Sequence, residues 1–214
     1  QFGLPLVAVT GSNGKTTVKE MIASILRQAT AAGAAENNGS LDPVLATEGN
    51  LNNDIGVPQM LLRLRQHHRY AVIEMGMNHV GEISYLTQLA KPSIALITNA
   101  GAAHIEGLGS IEAVARAKAE IFEGLNQQGT AIINADDCYA PLWRKCAGSR
   151  PIIAFGLREK ARVSADYSTD PLMNTIQLKL PDGMETIQLQ TPGVHNVYNA
   201  LAAAAATTAL GIPK

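Results

Sequence analysis

The stretch AVTGSNGKTTVKEM, residues 8–21, joins an apolar run to an amphipathic pattern. The run before it, residues 4–9, is apolar almost throughout, as in a strand that is buried on both faces. The residues after it are apolar at the spacing of a helix with one buried face, namely Val18, Met21, Ile22, Ile25 and Leu26. The stretch therefore predicts a strand, a tight turn and a helix in direct succession.

The turn TGSNGKTT, residues 10–17, has the composition of a phosphate-binding loop. Its two glycines allow backbone amides to converge on phosphate oxygens, and the helix adds its N-terminal dipole. Lys15 would lie between the β- and γ-phosphates, and the Thr16 hydroxyl would ligate magnesium. The alternative is a glycine turn that caps a helix and leaves Lys15 in solvent. The predicted nucleotide-binding residues are Gly11, Ser12, Asn13, Gly14, Lys15, Thr16 and Thr17.

The same alternation of strand and helix patterns continues along the chain and predicts an α/β fold. Apolar runs occur at residues 44–47, 70–75, 93–98, 130–134 and 151–155, and helical patterns at 58–68, 81–90, 111–125 and 138–147. We expect a mostly parallel sheet with helices on both faces. From residue 162 the period changes to two around a PDG turn, which predicts a small antiparallel hairpin, and an alanine-rich helix follows. Residues 30–43 have the composition of a flexible loop.

Composition limits the classes of partner. The chain has 214 residues, with 17 Lys plus Arg against 18 Asp plus Glu, so no overall field attracts nucleic acid or an anionic membrane. We expect no signal peptide, and no apolar run reaches the roughly 18 residues of a membrane span. We expect a cytoplasmic monomer. Because the chain opens with Gln1 and stops just after a helix, we expect residues 1–214 to be one domain of a longer protein.

Polar groups follow several predicted strands. Glu74 ends a buried strand, where a magnesium ion or a neighbouring Lys or Arg would satisfy its charge. His79 lies shortly after it and would contact a ligand or cap a turn. His104 follows the next strand along the chain. Lys118 lies among apolar residues of a predicted helix, either as a surface lysine or as a buried nucleophilic amine that takes up carbon dioxide as a carbamate and ligates a second magnesium.

Asparagines cluster at three further places. The segment NLNNDIGVP, residues 50–58, would contact peptide or sugar groups or form a helix-capping turn. In NADD, residues 134–137, the side chains would bind a ribose or cap the next helix. At the start of the last helix, His195, Asn196 and Asn199 share one face and would contact an adenine edge or cap that helix.

Together these motifs resemble those of the Mur ligases over nearly the whole chain. The resemblance rests on TGSNGKTT, with only two residues between its glycines, and on GNLNNDIGVP, EMGMNHVGEI, NAGAAHIEGLGS, AKAEIF, NADD and HNVYNALAA, in family order. Two of them, GNLNNDIG and MGMNHVGEI, resemble the branch that joins D-alanyl-D-alanine to UDP-N-acetylmuramoyl-tripeptide. The resemblance implies a central ATP-binding domain of the P-loop type, whose N-terminal uridine-nucleotide-binding and C-terminal domains lie outside this chain. It also implies ATP-driven amide formation through an acyl phosphate in peptidoglycan precursor synthesis.

The resemblance also implies a role for each matching position. Lys15, His104 and Lys118 would be catalytic. Two magnesium ions would be held, one by Thr16 and Glu74 and the other by His104 with carbamylated Lys118. The nucleoside would lie near Asn134, Asp136, His195, Asn196 and Asn199, and the substrate near Thr47, Asn50, Asn52, Asn53 and His79.

Two other functions fit parts of this pattern. One is another Mur-type ligase, similar to cyanophycin or folylpolyglutamate synthetases. The other is a P-loop ATP-binding module without ligase chemistry. The complete set of Lys15, Thr16, Glu74, His104 and Lys118 argues against such a module.

Overall fold

A six-stranded sheet forms the centre of the computed structural model, which describes residues 3–31, 41–102 and 105–213 and, for Ile105 and Glu106, only the backbone. The strands are β1 Leu6–Thr10, β2 Val44–Ala46, β3 Tyr70–Glu74, β4 Ile94–Ile97, β5 Thr130–Asn134 and β6 Ile152–Phe155. All are parallel, in the order β2-β3-β1-β4-β5-β6. The predicted α/β fold is therefore confirmed.

Helices cover both faces of this sheet, because its buried strands present apolar side chains alternately to either side. The helices are α1 Lys15–Ala31, α2 Gly56–Leu62, α3 Glu82–Ala90, α4 Ile105–Leu108, α5 Ile111–Ala119, α6 Ala140–Ala147 and α7 Val194–Ala209, with a 3-10 turn at Glu120–Phe122. On one face Val7 and Val9 pack in a core with α1 and α7, and on the other Ala8 packs in a core with α2, α3, α5 and α6. Among the described residues, no helix is both long and apolar enough to cross a membrane.

The region after the sheet differs from its prediction. The expected hairpin is part of a three-stranded antiparallel sheet formed by β7 Ser164–Thr169, β8 Asn174–Leu180 and β9 Gly183–Leu189. Strand β7 was missed because most of its side chains are polar and exposed, so it lacks an apolar period.

Two helix boundaries also differ from their predictions. Helix α2 ends at Leu62, because residues 65–68 form a turn in which the Arg65 amide donates to His68 Nδ1. The predicted helix at 111–125 ends at Ala119 and continues only as the 3-10 turn. Most of the predicted loop at 30–43 lies outside the described residues.

The strand order places a crevice beside β1. After β1 the chain continues to β2 at one edge of the sheet. After β4, the strand next to β1, it continues to β5 and β6 towards the opposite edge. Such a reversal opens a crevice at the carboxyl ends of the two strands, where α/β proteins bind ligands. The glycine-rich loop after β1 lies in this crevice.

Candidate active site

The loop between β1 and α1 requires glycine at two positions. Gly11 has φ +149°, and a Cβ there would lie 1.8 Å from Thr98 Oγ1. Gly14 has φ +79°, and a Cβ there would lie 2.3 Å from Asn199 Oδ1. Positive φ and this close approach both exclude larger residues. The loop is therefore packed between the end of β4 and the first turns of α7.

Residues 98–101, after β4, fix the conformation of this loop. Asn99 accepts hydrogen bonds from the amides of Ser12, at 3.0 Å through its carbonyl, and of Asn13, at 2.9 Å through Oδ1. Thr98 Oγ1 donates to the Asn13 carbonyl at 2.7 Å. The Ser12 and Asn13 amides are thus not free for phosphate, contrary to the expectation that the whole loop cradles it. The amide donors left for an anion are those of the first turn of α1, which lack partners within the helix.

Glu74 lies beside Thr16 at the end of β3, as predicted, and its side chain is buried. Its two carboxylate oxygens accept hydrogen bonds from the Thr16 hydroxyl and from Asn52 Nδ2, both at 2.9 Å. Among the described residues, no Lys or Arg forms an ion pair with it, so the salt-bridge alternative is not observed. The Glu74 carboxylate and the Thr16 hydroxyl are oxygen ligands of the kind that magnesium prefers, so these two residues fit the predicted ion.

Lys15 interacts with the charge of Glu74, and Lys118 in turn interacts with that of Lys15. Lys15 Nζ donates to the Gly11 carbonyl at 2.9 Å, and burial lowers the pKa of Lys15, although the charge of Glu74 opposes the shift. Lys118 on α5 is only 1% exposed, which excludes the surface alternative. Burial and the charge of Lys15 lower the pKa of Lys118 to about 7, and no described residue accepts a hydrogen bond from its amine. His104, the expected partner of Lys118, lies outside the described residues.

A polar cavity of about 270 Å³ opens beside Lys15 and Glu74. Its other lining residues are Asn52, Asn53, Asp54, Gly76, Met77, Asn78 and Glu82. Of the predicted substrate residues, only Asn52 and Asn53 line it. Asn53 Oδ1 accepts from the Gly56 amide at 2.8 Å, as the capping alternative predicts, while Asn50 and His79 are exposed outside the cavity.

Thr47 also differs from its predicted place at the substrate. It is buried, and its hydroxyl accepts the Glu74 amide at 2.9 Å. Its carbonyl accepts a 2.7 Å hydrogen bond from the buried amine of Lys19. The structure therefore assigns Thr47 and Lys19 to the support of Glu74. The spacing of Lys19, one turn after Lys15, is the sequence signal that would have found it.

A second cavity, of about 650 Å³, opens on the other side of the phosphate loop. It is lined by Asn13, Gly14, Thr17, Thr98, Asn99, Asn134, Asp136, Asp137, Phe155, Arg158, His195, Asn196, Tyr198 and Asn199. All five residues predicted to surround the nucleoside are brought together here. Arg158 and Tyr198 also line it and were not predicted, although Tyr198 lies within the HNVYNALAA motif.

Most amides in this cavity also hold the protein together. Asn134 Nδ2 donates to the Thr98 carbonyl at 3.0 Å, and Asn196 Nδ2 donates to the Pro192 carbonyl at 2.9 Å. Asn199 Nδ2 donates to Asn196 Oδ1 at 3.2 Å. The carboxylate of Asp136 accepts the amides of residues 157–159, so it is not free to bind a ribose as predicted.

Known proteins are similar to this chain in sequence and in fold. The family model described as the Mur ligase middle domain matches residues 9–207. The UDP-N-acetylmuramoyl-tripeptide--D-alanyl-D-alanine ligase of Haemophilus influenzae is 46% identical over 205 residues, which are 96% of this chain and 43% of that protein. The chain thus spans less than half the length of this curated relative.

Solved structures agree with the sequence comparison. A crystal structure of MurF from Acinetobacter baumannii matches with a TM-score of 0.89 and 43% identity, over 98% of this chain and 43% of that one. The MurF ligase of Thermotoga maritima, solved in complex with ADP, matches with a TM-score of 0.83 and 26% identity, over 99% of this chain and 47% of that one. On this sequence, fold and crevice, the chain belongs to the Mur ligase family, in which it corresponds to the middle domain.

Proposed function

We propose that the protein containing this chain is a cytoplasmic, ADP-forming ligase that joins D-alanyl-D-alanine to UDP-N-acetylmuramoyl-tripeptide, and that this chain is its central ATP-binding domain. The names of the relatives support the reaction. The observation that carries the proposal is the contact of Thr16 with Glu74 beside Lys15 and Lys118. Lys15 and Glu74 line the polar cavity, and Gly14 and Thr17 line the nucleotide cavity, so the phosphate loop borders both, as transfer of a phosphoryl group between their occupants requires.

In this proposal the 650 Å³ cavity holds the nucleoside and the first turn of α1 holds the phosphates. The free amides of that turn and the Lys15 ammonium neutralise the charge that develops on the γ-phosphoryl group. The tripeptide carboxylate, held in the 270 Å³ cavity, attacks the γ-phosphorus, and ADP leaves. The amine of D-alanyl-D-alanine then attacks the acyl carbon and loses a proton, and inorganic phosphate leaves as the amide forms.

Thr16 and Glu74 would hold one magnesium ion, whose charge offsets that of the triphosphate. Lys118 would serve a second ion with His104. With a pKa of about 7, much of its amine is neutral at physiological pH, so its lone pair adds to the carbon of carbon dioxide and a proton is released. The resulting carbamate is anionic. It replaces the repulsion between Lys118 and Lys15 with an attraction.

The test uses the full-length protein that contains this chain, with ATP, magnesium and UDP-N-acetylmuramoyl-tripeptide. Phosphate release is followed with and without D-alanyl-D-alanine, in wild type, Lys118→Ala and Arg116→Ala. We expect release that depends on the dipeptide, is lost in Lys118→Ala, and returns when short carboxylates are added. Arg116→Ala is the matched control, because Arg116 lies on the same helix but forms only an exposed ion pair with Glu112.

Each outcome decides a different part of the proposal. Release that ignores the dipeptide but depends on another amine would point to a different Mur-type ligase. Binding of ATP without any release would indicate a module that lacks ligase chemistry. Full activity of Lys118→Ala would leave the ligase assignment intact and remove the carbamate.

A further inference from the structure

The carboxylate of Asp136, a residue that lines the nucleotide cavity, accepts several hydrogen bonds from the protein itself. Asp136 follows β5, and its side chain is only 2% exposed. Its carboxylate accepts hydrogen bonds from the amides of Leu157 at 2.6 Å, Arg158 at 3.0 Å and Glu159 at 2.7 Å, and from the Tyr198 hydroxyl at 2.7 Å. Three backbone amides and a hydroxyl saturate the acceptor sites of a carboxylate.

These four donors come from two separate elements. Residues 157–159 form the segment that leaves β6, and Tyr198 lies in the second turn of α7. Both elements line the 650 Å³ cavity, the first through Arg158 and the second through Tyr198 itself and the residues around it. A single carboxylate on a third element, the end of β5, therefore ties two walls of the cavity together.

The position of Tyr198 extends this link to the phosphate loop. Asn199 follows it directly, and its Oδ1 lies so close to Gly14 that a Cβ could not be added there. His195 and Asn196 lie one turn earlier on the same helix. A shift of α7 at Tyr198 would therefore move every α7 residue of the cavity relative to the phosphate loop.

We propose that Asp136 is a positioning residue of the nucleotide site, which sets residues 157–159 and the first turns of α7 for nucleotide binding without touching the nucleotide. This inference rests on the nucleotide site of the proposed function. The exposed guanidinium of Arg158, whose backbone amide Asp136 holds, is the group that it presents at the mouth of the cavity. Because these hydrogen bonds join three elements of the protein itself, they preorganise the site.

Two substitutions separate this role from general folding. Asp136→Asn keeps the size of the side chain but turns one acceptor into a donor that faces backbone amides. Tyr198→Phe removes only the hydroxyl that donates to Asp136. Asp166→Asn is the matched control, since Asp166 forms an exposed ion pair with Lys179 on the antiparallel sheet and neither residue lines the cavity.

The measurements are the Kd of ATP with magnesium, by calorimetry, and the KM for ATP and for D-alanyl-D-alanine, on the full-length protein, with circular dichroism to verify folding. We expect Kd and KM for ATP to rise by about tenfold in Asp136→Asn and by about threefold in Tyr198→Phe. The KM for the dipeptide and kcat at saturating ATP stay near wild type. Asp166→Asn is expected to leave all four values unchanged.

Unchanged ATP binding in a folded Asp136→Asn and in Tyr198→Phe would overturn the inference, and so would a fall in kcat with KM for ATP unchanged. If Asp136→Asn does not fold, Tyr198→Phe alone decides. The proposed function fails differently, namely if wild type itself does not bind ATP or if Lys15→Ala binds it as well as wild type does.

Discussion

The two sides of the phosphate loop differ in whether the protein favours or disfavours the charged form of its ionisable groups. On the side of the polar cavity, burial lowers the pKa values of Lys15 and Lys118 and raises that of Glu120, so the protein disfavours the charged form of all three. On the nucleotide side burial also opposes the ionisation of Asp136, but its hydrogen bonds outweigh this and lower its pKa. For the first three groups burial outweighs the partners of the charged form, whereas for Asp136 the hydrogen bonds outweigh burial.

This difference matches the work of the two regions in the proposed reaction. Groups that need a ligand to become satisfied are suited to the place where a triphosphate, a carboxylate and cations meet, because the ligands supply the missing partners. Groups that are already satisfied make a rigid wall, which suits recognition of the unreactive end of the nucleotide. Substitutions on the two sides are therefore expected to act on different quantities.

The largest effect is expected for Glu74→Gln, on the polar side. The change keeps the shape of the side chain and an acceptor for Thr16 or Asn52 but removes the charge that a cation needs. We expect kcat for phosphate release to fall by about 100- to 1000-fold, a loss typical of one preorganised electrostatic contact. Steady-state kinetics at several magnesium concentrations would measure it. Activity within a factor of two of wild type would contradict the role of Glu74.

The second prediction is that replacing Lys118 abolishes activity but raises stability. Lys118→Met replaces a buried amine by an apolar side chain of similar length, so we expect the variant to lose ligase activity and yet unfold with a free energy more than about 1 kcal/mol higher at pH 7. The pKa of Lys118 falls on folding from 10.5 to about 7, so between these values the unfolded state binds more protons. Wild-type stability should thus rise with pH over this range, and the variant should lack this rise.

Urea unfolding in buffers free of carbon dioxide would measure this difference between pH 7 and 10. Arg116→Met, on the exposed face of the same helix, is the control and should change neither the stability nor its slope with pH by a measurable amount. A Lys118→Met protein less stable than wild type would show that its amine has a partner that compensates its burial.

The sequence predicted the two sides of the phosphate loop to different extents. The polar side was found through side chains that stand out chemically at the ends of apolar runs, such as Lys15, Thr16 and Glu74. On the nucleotide side, the sequence predicted which residues lie together but not the hydrogen bonds that they form. That Asp136 binds backbone amides rather than a ribose depends on where residues 157–159 return after β6, and no local pattern specifies that long-range contact.

The fold shows the same limit. Buried parallel strands have continuous apolar runs and were all predicted, whereas β7 is exposed and polar and was not. Thr47 was expected to contact the substrate only because the family resemblance implies it. Its burial under Lys19, however, is decided by the packing of α1 against the end of β2.

A smaller effect is expected on the nucleotide side, for the stability of Asp136→Asn. Losing hydrogen bonds to backbone amides should lower the free energy of unfolding by about 1–2 kcal/mol at pH 7. Because folding lowers the pKa of Asp136 below its ordinary 3.8, the advantage of wild type is fully present above that value and disappears as pH falls through the folded pKa. Urea titrations at pH 7 and at pH 3 would compare the two. An advantage that grew towards low pH would show that the carboxylate is not stabilised as a charge.

The smallest effect, and the one of opposite sign with pH, is expected for Glu120→Gln. Glu120 accepts hydrogen bonds from the amides of Gly81 and Ser84 at the start of α3, yet its burial raises its pKa above 4.5. Its contribution is therefore greatest below pH 4.5 and is lost as pH rises through the folded pKa. We expect the variant to lie within about 0.5 kcal/mol of wild type at pH 7.5 and to be less stable than wild type at pH 4. As pH falls, the free energy of unfolding of Asp136→Asn should approach that of wild type, whereas that of Glu120→Gln should fall below it. A change with pH in the same direction for both variants would refute the contrast between the two sides.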